Sequence, residues 1–180
     1  MNALTYMMDL IVETKTGKDP AVLRRFHRNI INSGGYLHEA YQLVDNLSYG
    51  YANEPSFSQL LAIIKDPEAR RKRKIVQLIR NSVGFHLDSS GDATKKALAK
   101  LNLPYFALVS GENNELGSLY FDLSDNVDIN FILDELTGEE EEEVDVRNEI
   151  FRLIPELIGE FSKAAEEFGR GLAKRLNLID

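Results

Sequence analysis

An arginine and a histidine six positions apart, Arg80 and His86, with the amide Asn81 beside the first, are the residues of this chain whose types and spacing could do chemistry. Arginine presents a planar, permanently charged fork that fits a phosphate, and histidine exchanges protons near neutrality. Asn81 adds a neutral donor and acceptor that can orient either partner. The basic run Arg70-Arg71-Lys72-Arg73-Lys74 leads into this stretch and could hold a nucleic-acid backbone. Together they suit cleavage of a phosphodiester that needs no metal. Each also has a plainer reading. Arg80 could pair with a carboxylate on a neighbouring helix, His86 could close a helix C-terminus, and the basic run could be a solvated face.

The element that must position these residues is a helix. Ile75, Leu78, Ile79 and Val83 recur at helical spacing, and the pattern runs from Pro67 to about Phe85. On a straight helix, six residues separate Arg80 and His86 by about 120° and ~9 Å, so they would not share a face. Convergence needs a break near Ser82-Val83-Gly84 or a second copy of the motif across a dimer interface.

The rest of the chain supplies scaffold. Leu4, Met7, Met8, Ile11 and Val12 predict a helix over 2–15 that stops at Thr16-Gly17. Asp19-Pro20 offers an N-cap and a proline at the first position of a second helix through Val22, Phe26 and Ile31, which Ser33-Gly34-Gly35 should end. Another helical pattern covers Leu37 to Leu47. Ser56 can cap a helix over Phe57 to Ile64, and Asp66-Pro67 can break it or restart it. Asp88 to Asp92 makes a turn before a short helix over Ala97 and Leu98. The strand-like runs Tyr105–Val109 and Leu119–Leu123, joined by a glycine- and asparagine-rich stretch, predict a β-hairpin. A short helix over Asp128–Leu136 and a long one over Asp145–Leu176 follow, the latter with Pro155 as a place to kink. The expected fold is therefore mainly α: one domain over 1–180, a helical bundle with an inserted β-hairpin at about 105–123 and a long C-terminal helix. The seam Val146 to Leu172 is long enough that part of it could face a second copy, giving a homodimer.

The charge balance agrees with a local site rather than a generally basic surface. Net charge is −8, with positive charge concentrated at 65–80 and negative charge at 134–149, where five consecutive glutamates read as a solvated loop. The chain has no cysteine, which excludes disulfides, thiolate metal sites and a cysteine nucleophile. Three scattered histidines argue against a metal cluster, and no cofactor motif is present. No apolar run approaches the ~20 residues of a membrane span, so the expectation is a cytoplasmic, soluble protein. His27 and His38 lie among Arg24, Arg25, Arg28 and Glu39, where they could border the same site or be ordinary surface residues.

Arg80-Asn81-x4-His86 at the end of a helix resembles the arginine-polar-x-histidine signature of the HEPN superfamily. The stretch Ile79-Arg-Asn to Phe85-His86-x-Asp88 is similar to uncharacterised bacterial proteins within it. That resemblance implies a helical, often dimeric, metal-independent endoribonuclease or RNA-binding protein. Arg80 would stabilise the pentavalent phosphate, His86 would serve as general acid or base for 2′-hydroxyl attack, and Asn81 would orient them. Where some members carry a modifiable tyrosine two residues after the histidine, this chain has Asp88. The competing expectation is a non-catalytic dimeric helical adaptor that binds a protein partner, and a third is nucleotide binding without hydrolysis.

Overall fold

The computed structural model describes residues 3–15, 20–81, 99, 132 and 143–179. Among them the fold is helical: α1 (Ala3–Thr14), α2 (Pro20–Tyr51), α3 (Ser58–Lys65), α4 (Arg70–Ile79) and α5 (Glu143–Arg175), with single 3₁₀ turns at Pro55–Phe57 and Pro67–Ala69. No strand occurs among the described residues. The expected β-hairpin at 105–123 lies outside them, as do the turn at 88–92 and the acidic run up to Glu142. Of the two short helices expected between, only Ala99 and Ile132 are described, and both are helical.

The helices form where apolar residues recur every third or fourth position, and those residues meet in one core. Leu4 and Ile11 of α1, Ile30, Leu37, Tyr41 and Val44 of α2, Leu60 and Ile64 of α3, and Ile75, Val76 and Ile79 of α4 are all buried. α5 supplies the largest share, from Ile150 through Leu157 and Phe161 to Phe168. Between Ile150 and Phe168 its buried residues pack against the chain's own helices. Pro155 sits inside α5, which runs on as one helix. None of the described helices is long and apolar enough to cross a membrane.

The sequence reading needs correction at α2. Ser33-Gly34-Gly35 does not end a helix; α2 continues through it for 32 residues, about 48 Å. Glycine in a helix interior costs about 1 kcal/mol against alanine. Here the cost is offset by close packing, because a Cβ on Gly34 would lie 2.7 Å from Ile79 Cγ2. The absent side chain lets α4 lie against α2. Ser33 is wholly buried, and its hydroxyl donates to the Asn29 carbonyl one turn back, so the polar group is satisfied inside the helix.

Two smaller expectations also shift. Ser56 does not cap α3; the helix begins at Ser58 after the 3₁₀ turn, and Phe57 at its N-cap makes no side-chain cap bond. Asp66-Pro67 both breaks and restarts the chain, since α3 stops at Lys65 and α4 begins only after the Pro67–Ala69 turn. Pro20 opens α2 as its fixed φ favours.

Candidate functional site at the crossing of α2 and α4

Close packing at Gly34 and Ile79 determines what the two helices bring together just beyond it. At the end of α4 the backbone opens into a wider π-type turn at Arg80 and Asn81, while the Arg80 N–H still donates to the Gln77 and Val76 carbonyls. From there Arg80 reaches α2. Its Nε donates to Glu39 Oε1 at 3.2 Å, and its Nη1 lies 3.5 Å from Asn81 Oδ1, at the limit of a hydrogen bond. The arginine side chain is 28% exposed and the glutamate 56%, so the pair sits at the rim of the bundle rather than in its core.

His38, next to Glu39 on α2, belongs to the same cluster. Its Nδ1 is 3.9 Å from the Glu39 Oε1 that accepts from Arg80, too far for a hydrogen bond. That nitrogen is buried and has no hydrogen-bonding partner. Burial pushes the imidazole below its usual pKa, the Arg80 charge pushes the same way, and Glu39 opposes both. His38 is accordingly neutral at pH 7. On the solvent side, Tyr36 and Leu43 flank Glu39 about one turn away in each direction, 45% and 59% exposed.

The residues expected to form the site are only partly gathered. Arg80 and Asn81 adjoin each other; His86, Gly84 and Asp88 lie outside the described residues. Of the basic run, Arg70 and Lys74 are exposed. Arg71 binds Glu149 of α5 bidentately, through Nε at 3.1 Å and Nη2 at 2.8 Å, and Arg73 donates to the Ile64 carbonyl at the end of α3. Lys72 is half-buried. Five consecutive residues on a helix must point around its full circumference, so the run cannot line one groove. A narrower stripe does face outward: Arg70, Lys74, Gln77 and Asn81, spaced four, three and four apart, are all exposed. It ends at Arg80.

Sequence reasoning grouped His27 and His38, but the structure separates them. His27 stacks on Phe151 of α5, with ring centroids 4.5 Å apart and planes 10° apart. It lies eleven residues before His38, roughly 16 Å along α2. Glu39 was noted only as a neighbour of the histidines, because its contact with Arg80 depends on the helix crossing; Leu43 was counted in the apolar pattern of Leu37 to Leu47, yet it is exposed. Among the described residues no group of three or more histidines, aspartates and glutamates could hold a metal ion. No known family matches the chain, and no match emerges from the curated proteins or solved structures with which it was compared.

Proposed function

We propose that the chain acts on RNA as a HEPN-like metal-independent endoribonuclease, or RNA-binding protein, through the edge of the bundle where α2 crosses α4. The observation that carries this reading is Arg80 held at its Nε by Glu39, beside Asn81, at the end of an exposed polar stripe that starts at Arg70. A carboxylate on Nε fixes the plane of the guanidinium, and a fixed fork is what recognises a phosphate. Arg70 and Lys74 would hold the RNA backbone leading to it. In the reaction, Arg80 stabilises the charge on the pentavalent phosphorus. His86 serves as acid or base as the 2′-hydroxyl loses its proton, the P–O5′ bond breaks and the leaving oxygen is protonated. A homodimer would let the His86 of one copy approach the Arg80 of the other.

A second reading is favoured by the same ion pair. Arg80 meets a carboxylate on a neighbouring helix, so it could be a tie between α2 and α4 in a non-catalytic adaptor. The test compares the full chain with R80A and H86A on labelled single-stranded RNA, together with melting curves. Cleavage by the wild type that both variants lose, while both stay folded, supports the enzyme. Equal cleavage by all three, or none by any, overturns it and leaves the tie, read as a lower melting temperature for R80A alone.

A further inference from the structure

Cleavage of RNA without a metal needs a base for the 2′-hydroxyl close to the phosphate that Arg80 stabilises, and the inference drawn from that need rests on the function proposed above. We propose that His38 is this base: Glu39 faces its Nδ1, and its Nε2 takes the proton of the attacking hydroxyl. The imidazole and the guanidinium flank one carboxylate, with Glu39 Oε1 3.2 Å from Arg80 Nε and 3.9 Å from His38 Nδ1. A carboxylate oxygen has two lone pairs and accepts from both together, so neither partner displaces the other. Glu39 is 56% exposed, and a small rotation of its side chain closes the longer gap to a hydrogen bond. His38 Nδ1 is enclosed without a hydrogen-bonding partner, while the side chain keeps 17% of its surface open, which leaves the opposite edge of the ring, carrying Nε2, to meet solvent and substrate.

With a carboxylate facing Nδ1, the neutral ring carries its proton there and its lone pair on Nε2, the form a base needs. The charged groups that act on His38 are Glu39 on its own helix and Arg80 on α4. Burial first, and then Arg80, hold the imidazole below its usual pKa and keep it unprotonated at pH 7. Glu39 opposes both, and it stabilises the imidazolium once the proton has arrived. In the step itself the 2′-oxygen gives its proton to Nε2 and bonds to phosphorus, the P–O5′ bond breaks, and the 5′-oxygen takes a proton from water or from His86. His38 then returns its proton to solvent, and the products are a 2′,3′-cyclic phosphate and a 5′-hydroxyl. Helical spacing sets Arg80 and His86 on different faces, so that pair needs a break or a second copy. His38 comes from another helix of the same chain and needs neither.

The experiment measures kcat/KM against pH for cleavage of a labelled single-stranded RNA by the full chain. In the wild type the rate should fall with acid through a midpoint below 6.5, where His38 takes up a proton. In E39Q that midpoint should move to still lower pH, because Glu39 is the group that raises it. H38Q should lose roughly a hundredfold or more of the rate while still binding the RNA, and H38A should regain part of it when imidazole is added. A histidine that only packs the helices together would give neither the shifted midpoint nor the response to imidazole. H38N replaces H38Q if the latter does not fold. Wild-type rates in folded H38Q, or an acid midpoint that E39Q leaves in place, overturn the role of His38 and leave the RNA reading with His86 as its base. No cleavage by the wild type at any pH overturns the RNA reading itself, and the role of His38 falls with it.

Discussion

Two close approaches in this bundle depend on glycine, and each has an Arg–Glu pair about one turn away. Where α2 meets α4, Gly34 lies against Ile79, and Glu39 five residues on binds Arg80. Where α5 meets the Pro55–Phe57 turn, a Cβ on Gly171 would lie 2.5 Å from Ser56 Oγ, and Arg175 four residues on binds Glu54. The surroundings then diverge. The α5 crossing is backed by aromatic rings, with Phe57 and Phe168 centroids 4.9 Å apart and Tyr51 edge-on to Phe168. The α2 crossing has instead a half-buried histidine, whose buried Nδ1 has no hydrogen-bonding partner, and an amide beside its ion pair. An Arg–Glu tie beside a tight crossing is thus ordinary construction in this molecule. What distinguishes the Arg80 pair is the polar company it keeps, and His38 and Asn81 are the reason to look for function there.

The largest effect expected from this contrast is on packing. Gly34→Ala places a methyl group against Cγ2, Cδ1 and Cβ of Ile79, a side chain that is 1% exposed and has no room to move. Overpacking of this kind costs about 1–3 kcal/mol, only partly offset by the ~1 kcal/mol that alanine gains in a helix. Thermal unfolding should show a melting temperature lower by several degrees. In the double variant with Ile79→Ala the two losses should add to less than their sum, because the truncated side chain makes space for the methyl. A fully additive pair would mean that Gly34 does not set the crossing.

That glycine also marks the limit of what the sequence reveals. The periodicity of α1, α4 and α5 is local, so Leu4 and Ile11, Ile75 and Ile79, and Ile154 to Phe168 could be read as core before any fold was known. Ser33-Gly34-Gly35 has the composition of a stop, yet its function is contact with a residue 45 positions away, which no local rule contains. A separation of 41 positions likewise hid Glu39 as the partner of Arg80. The spread of Arg70 to Lys74 around α4, by contrast, follows from 100° per residue, and helical geometry alone could have divided the run.

Gly171→Ala should have a smaller effect. The obstacle there is one half-exposed serine in a three-residue turn, and alanine's helix preference works the other way. A net change within about 1 kcal/mol is expected, against the clear loss at Gly34. Equal destabilisation at both positions, measured by denaturant unfolding, would erase the difference in rigidity between the crossings.

The smallest effect is electrostatic and has a definite sign. Exposed ion pairs contribute about 0–1 kcal/mol, so Glu39→Gln and Glu54→Gln should each change stability little. Only the first should move the titration of His38. Glu39 is what raises that pKa, so E39Q should lower it further, whereas R80A removes a lowering influence and should bring it back toward 6.5. Because the folded-state value is already depressed, the unfolded chain takes up the proton first. The wild type should therefore keep its full His38 contribution above about pH 6.5 and lose stability relative to H38Q as pH falls through that value toward the folded one, with no further loss below. Urea midpoints of the two proteins across this range measure it. A difference that stays constant with pH would mean that His38 is as well solvated in the folded chain as in the unfolded one, and the α2 crossing would then be no more than a second version of the tie at Arg175.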